Sequence, residues 1–359
     1  GRTRGELAAC LRAMWIGPFI ALAVALHLLW ADPLLLAVAA PFLVLWLISP
    51  LLAWWVSRPL AAHKASLTDE QRHFLRRVAR RTWAFFERFV APEDHWLAPD
   101  NYQEYRTAAI AHRTSPTNMG LALLANLAAH DFGYIQGGRL LERTANTLHT
   151  MRGLARYRGH FYNWYDTLTL EPLPVLYISS VDSGNLAGHL LTLRGGLLGL
   201  ADERILSAQL FAGLGDALDL LGETADATLA GTLAAFRKRL DTAMTATPET
   251  LVAMRQLLLQ LLAGSGELLA ATVAKIKTRD ETLPENEPNE WALAIARQLD
   301  DALAELAQLT PWLTLPPAPG GLEAFAQRIG ALAVPTLRDM VRLNGQLGPD
   351  IEVQLAEEL

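Results

Sequence analysis

The chain has 359 residues, 51% hydrophobic and 19% charged, with a single cysteine and a formal net charge of −6. An apolar excess and a charge deficit of this kind exclude disorder over most of the chain. Cys10 alone cannot form an internal disulfide framework or a cysteine-based zinc site, and the acidic balance offers no field for nucleic acid.

Residues 13–31 (AMWIGPFIALAVALHLLWA) and 33–57 (PLLLAVAAPFLVLWLISPLLAWWVS) carry no formal charge. Each approaches or exceeds the roughly 20 apolar residues that cross a hydrocarbon core. Trp15 and Trp30 bracket the first stretch and Trp54 and Trp55 close the second, the placement of interfacial aromatics. A cleaved signal peptide fits poorly, because the first stretch is too long and a second follows at once. The pattern predicts a membrane hairpin over residues 1–57, the alternative being a helical pair buried in a soluble core. Arg2, Arg4 and Arg12 precede it, Arg58, Lys64, Arg72, Arg76, Arg77, Arg80 and Arg81 follow it, and the turn Ala31-Asp32-Pro33 has no positive charge. That bias puts both ends in the cytoplasm. His27 lies inside the first span and is expected to be a neutral imidazole facing a neighbouring helix, with a functional ionisable group as the other reading. The opening GRTRGEL and the ending QLAEEL read as an excerpt of a longer protein.

Beyond the hairpin the apolar spacing is helical over 68–90, with Thr68 as N-cap and Asp69 and Glu70 in the first turn. Further helices are predicted over 116–130, 138–157 and 183–200, and VLYISSV at 175–181 is the best strand candidate. Two connections, 91–118 and 158–185, are long, aromatic and charged, and ordered connections of this length are more often functional than incidental. The second holds Phe161, Tyr162, Asn163, Trp164, Tyr165 and Asp166 in succession. Aromatic faces beside carboxylate and amide groups suit a sugar, which offers a C–H face and a rim of hydroxyls. Each of these residues also has a structural reading. Ser115 before Pro116, and Asp182, are plausible N-caps. Tyr162 and Trp164 can fill a loop core, and Arg113 can pair with Glu104 or Asp166 merely to order its loop. His112 has no second ligand at a metal-binding spacing.

The motifs AHRTSPTN (111–118), GHFYNWYDT (159–167) and VDSGNLAG (181–188) resemble bacterial cyclic β-1,2-glucan synthase. The likeness runs over about residues 70–200, at the start of that family's glycoside-hydrolase-like cyclisation domain, and the hairpin ending SPLLAWWVSRPL is similar to its membrane segment. The resemblance implies an all-α fold: two transmembrane helices, then part of an (α/α)₆ toroid over 58–200. It implies transglycosylation that closes a β-1,2-glucan chain, with UDP-glucose and a divalent metal used only by an upstream glycosyltransferase domain and no cofactor in this chain. It implies a bacterial inner-membrane protein with its soluble part cytoplasmic, whose partners are the glucan, the lipid bilayer and the remaining domains of the parent polypeptide. Retaining transfer needs two carboxylates about 5–5.5 Å apart. The acids near the motifs are Glu104, Asp131, Asp166, Glu171 and Asp182. Residue chemistry alone makes Asp166 the best catalytic guess, whereas the resemblance places the catalytic pair beyond Leu359. The substrate-binding set is then Arg113, Tyr162, Trp164, Asp166, Asp182 and Asn185, and the chain alone is expected to be inactive.

Residues 201–359 are Ala/Leu-rich, with helices predicted over 203–221, 225–246, 248–278, 287–308 and 320–345, and Thr247-Pro248-Glu249 as the start of the third. LVAMRQLLLQLLAGSGELLAATVAKI is interrupted by Arg255, Gln256, Gln260 and Glu267 and reads as a bundle helix. The segment is expected to be a helical insertion. Four helices before residue 201 cannot close a toroid, so an apolar face should stay open. The competing function class is a non-catalytic, membrane-anchored scaffold that positions glucan or another protein.

Overall fold

Helix α1 (Arg2–Ala13) breaks at residues 14–15 and bends by 62° into α2 (Ile16–Ala31). This is a computed structural model, and it describes residues 2–57, 66–103, 105, 107, 109–224, 229–276, 287–314 and 330–343. The chain divides into two compact units, Gly1–Thr68 and Asp69–Leu359.

In the first unit α2 reverses into α3 (Pro33–Val56) through Asp32 alone. The Asp32 amide donates to the Leu28 carbonyl, closing α2, while its Oδ1 accepts from the Leu34 and Leu35 amides at 3.1 Å, opening α3. Pro33 at the first helical position needs no donor there. The two helices pack closely where Gly17 faces Ser49, and Ala21 is buried between them. Their outer faces are apolar and exposed, Trp30 at 87%. With 24 residues, α3 is about 36 Å long, enough to cross a membrane. The 16 residues of α2 reach only about 24 Å unless α1 is counted with it. His27 is exposed rather than turned against a neighbouring helix.

The second unit begins with α4 (Asp69–Phe89), α5 (Pro116–Asp131), α6 (Gly137–Gly153) and α7 (Ser180–Leu200). Met119, Leu123, Met151, Leu186 and Leu193 form one core among α5, α6 and α7, and Trp83, Tyr134, Leu140 and Leu200 join α4 to them. Helix α6 stops at Gly153, short of the expected 157, because strand β2 (Arg156–Tyr157) pairs antiparallel with β3 (His160–Phe161). Arg158 and Gly159 make the two-residue turn with φ of 50° and 87°, the left-handed geometry that a tight hairpin requires. Residues 175–179 are irregular, so the strand expected at 175–181 does not form.

A bundle follows: α8 (Ala208–Thr224), α9 (Ala230–Thr245), α10 (Leu251–Ile276) and α11 (Glu287–Leu309). Its core is built from Phe211, Leu214, Phe236, Leu258, Leu261 and Ile295. Helix α10 has the length and composition of a membrane span, yet Leu251, Met254, Leu258, Leu261 and Leu268 are buried in this core. It is a bundle helix. It starts after Thr250, not at Thr247-Pro248-Glu249, because the Glu249 carbonyl accepts from the Val334 amide and Thr250 bridges Ala333. The same bridge interrupts the helix expected over 320–345. Of that range, 315–329 and residues from 344 lie outside the described set.

The two halves of this unit meet at Gly133. A Cβ there would fall 1.9 Å from the Gln209 carbonyl oxygen, and Gly133 has φ of 79°. Its carbonyl accepts from Gln298 Nε2 at 2.6 Å. Beside it, Asp216 accepts from Arg76 Nε and the Tyr134 hydroxyl, both at 2.9 Å. Burial pushes the Asp216 carboxyl up despite the Arg76 guanidinium, and burial with the Asp216 charge pushes the Tyr134 phenol up.

Candidate functional site

Four segments of the 69–200 region converge on one surface. Strand β1 (Arg113–Thr114) pairs antiparallel with β4 (Tyr165–Asp166), which ties the first connection to the second. Ser115 then caps α5 and Ser179 caps α7, each hydroxyl accepting from the amide three residues on. The N-terminal turns of α5 and α7 are joined where Asn185 Nδ2 donates to Thr117 Oγ1 at 3.1 Å. Asp182, a candidate cap, lies instead in the first turn of α7 behind Ser179.

Asn163 is the hub of the polar network. Oriented to satisfy its neighbours, its amide nitrogen donates to Asp182 Oδ2 at 3.0 Å. Its oxygen accepts from Trp164 Nε1 at 2.9 Å and the Tyr177 hydroxyl at 2.7 Å. The Arg113 guanidinium lies 4.9 Å above the Trp164 ring, within cation–π range. Arg113 donates to Asp100 Oδ2 from Nη2 at 2.8 Å and from Nε at 3.2 Å, and Asn118 Nδ2 reaches Asp100 Oδ1 at 3.3 Å. Arg113 therefore pairs with Asp100, not with Asp166; Glu104 lies outside the described residues.

Of the six residues singled out from the sequence, Arg113, Trp164, Asp182 and Asn185 belong to this connected surface. Asp166 sits opposite Arg113 in the β1–β4 register, but its Oδ1 accepts from the Leu168 and Thr169 amides at 2.8 and 2.9 Å. That carboxylate closes its own turn. Tyr162 faces elsewhere: its amide donates to the Tyr165 hydroxyl and its ring packs edge-on to Tyr165 against the α5–α7 core.

The carboxylates are tuned away from acid catalysis. The Thr169 amide, with help from the Leu168 amide, the Thr169 hydroxyl and the His112 charge, holds Asp166 below the usual carboxylate range. Burial pushes Asp182 up, but the hydroxyls of Ser179, Thr117 and Ser115 outweigh it and the net shift is downward. A general acid must still hold its proton near working pH, which both shifts oppose.

Sequence reasoning missed Asp100, Tyr177 and the pairing of buried Asp94 with half-buried His112. Asp94, 5% exposed, accepts from the Thr167 hydroxyl and lies 2.7 Å from His112 Nδ1. Asp94 and Asp100 both lie in the first connection, and nothing in their spacing announces partners 18 and 13 residues away.

The arrangement is an aromatic face edged by a guanidinium, a carboxylate and amides, carried on the ends of an all-helical unit that follows an apolar hairpin. No family model matches the chain. The resemblance to bacterial cyclic β-1,2-glucan synthase carried by the three motifs is borne out in comparison with curated proteins. The chain is 39% identical over 188 residues to the cyclic beta-(1,2)-glucan synthase NdvB of Rhizobium meliloti. The match takes in 52% of this chain and spans only 7% of the length of that relative.

Proposed function

We propose that this chain is a membrane-anchored part of a cyclic β-1,2-glucan synthase, and that the Arg113–Trp164–Asp182–Asn185 surface holds the glucan during transglycosylation. The similarity to NdvB, in a chain whose motif residues converge on one surface, is the observation that carries the reading. In it, the Trp164 ring packs on the C–H face of a glucosyl unit while Arg113, Asp182 and Asn185 bond its hydroxyls. Asp166 shapes the surface by fixing its turn. Tyr162 supports it through Tyr165.

The depressed Asp166 and Asp182 favour a binding role, with the carboxylate pair that breaks and remakes the glycosidic bond supplied from elsewhere in the longer protein. UDP-glucose and a divalent metal belong in this reading to an upstream glycosyltransferase domain. The hairpin resides in the bacterial inner membrane with the soluble part cytoplasmic. Residues 58–200 contribute to an (α/α)₆ ring and residues 201–359 are a helical insertion. Val181, Leu191 and Leu198, all exposed along α7, are the face that further ring helices would cover.

The test is binding of linear β-1,2-glucan to the full chain in detergent. Saturable binding that Trp164→Ala abolishes, with the helical circular-dichroism signal unchanged, is the expected result. Equal binding by wild type, Trp164→Ala and Arg113→Ala, or none by folded protein, overturns the assignment of this surface.

A further inference from the structure

Between α4, α6 and α11 lies a cavity of about 570 Å³ that shares no lining residue with the Arg113–Trp164 surface. Its walls carry the guanidinium groups of Arg80, Arg88, Arg139, Arg143 and Arg297. Facing them are the carboxylates of Glu87, Glu290 and Asp301. Arg139 is engaged by Glu142, which is not in the lining, yet the basic groups still outnumber the acidic ones.

Two of the arginines are built in rather than merely nearby. Arg80 is 2% exposed, its guanidinium held between the rings of Tyr134 and Trp291 at 5.4 and 5.1 Å. Among the described residues only its Nη2 has a hydrogen-bond partner, donating to Glu87 Oε2 at 3.1 Å. Its Nε and Nη1 are buried and have no hydrogen-bond partner among the described residues. Arg143 is fixed by Asn126 Oδ1 and by the carbonyls of Phe86 and Val90, and burial pushes its guanidinium down to about 10. Glu87 is shared, its other oxygen lying 3.8 Å from Arg297.

A buried guanidinium with two unpartnered donors is costly to leave unmatched. A charged guanidinium donor suits an oxyanion better than any neutral hydroxyl. Aromatic walls from Trp83, Phe85 and Trp291 lower the local dielectric and strengthen the attraction. We propose that this cavity is a binding site for a small oxyanion, a phosphate or carboxylate group gripped by Arg80 and Arg143 with Arg297 closing from the rim. The assignment stands independently of the glucan reading, since no residue is common to both.

The experiment is titration of the full chain in detergent, at fixed ionic strength, with inorganic phosphate and separately with acetate, glucose serving as the neutral control. Calorimetry and tryptophan fluorescence report binding, Trp83 and Trp291 being in the lining. Saturable, equimolar binding of phosphate or acetate is expected, with affinity about tenfold weaker in Arg80→Gln and about threefold weaker in the exposed variant Arg297→Gln. Which anion binds distinguishes a phosphate ligand from a carboxylate one. Should Arg80→Gln fail to fold, Arg88→Gln/Arg297→Gln decides, because both side chains are more than half exposed. Absence of saturable anion binding by folded wild type, unchanged affinity in every folded variant, or preference for glucose overturns the proposal.

Discussion

Helices α4–α7 and α8–α11 use the same secondary structure for opposite ends. Around α4–α7 the chemistry of the Arg113–Trp164 surface sits in the connections: Asp100, Arg113, Asn163, Trp164 and Asp182 all lie at or before the first turn of a helix. In α8–α11 the density lies within the helices, where Phe211, Leu214, Phe236 and Leu258 are fully buried, and its polar groups, Asp216 and Trp291 among them, face the first half. One half presents polar groups from its connections, while the other presents them from helix faces turned toward the first half. Rigid helices whose N-termini point at a common surface allow the first half to do this without a large sheet.

Substitutions that cut one half and spare the other sharpen the contrast. Phe211→Ala in the α8–α11 core should cost about 3–5 kcal/mol, the range for emptying a fully buried aromatic site, and lower the melting temperature in calorimetry. A next effect is expected at the junction. Gly133→Ala forces a Cβ against the Gln209 carbonyl at a positive φ, and about 1–3 kcal/mol of strain should appear as a lower denaturant midpoint. Ser179→Ala removes the cap of α7 and should cost about 1 kcal/mol. Its signature is faster hydrogen exchange at 180–183, with the α8–α11 amides unaffected; equal loss in both halves would break the comparison.

The smallest effect is with pH. The folded-state values of Asp166 and Asp182 lie below their unfolded ones, so their stabilisation is present above the ordinary carboxylate range and is lost as pH falls through the depressed values. Limited proteolysis should therefore find the 158–185 connection loosening in acid before the bundle does. Asp216 runs the other way, its raised value making the junction lose stability as pH rises out of the ordinary carboxylate range toward that value.

Much of this architecture was legible in residue order. Charge-free runs marked α2 and α3, and the 3.6-residue period placed α4, α5 and α11 to within a residue or two. What escaped depends on partners far along the chain. The start of α10 was misplaced because Val334 holds Glu249 out of the helix, a contact that no local propensity encodes. The β1–β4 ladder is two residues long, too short to leave an alternating pattern. Trp164 and Arg113 were visible as candidates, but the choice of Asp100 over Asp166 is made by the fold that joins the two connections. Asp166 looked catalytic because composition cannot distinguish a carboxylate facing substrate from one closing its own turn.

Asp32 has a consequence for how the apolar hairpin lies in lipid. It is the sole formal charge between Arg12 and Arg58, and its carboxylate is committed to the first amides of α3. Drawing that turn into hydrocarbon would bury a polar carboxyl group, while the turn has no slack residues with which to rise on its own. In a bilayer Asp32 would hold the turn at the interface, and tilt of the paired helices would be the means of adapting to a thinner or thicker one.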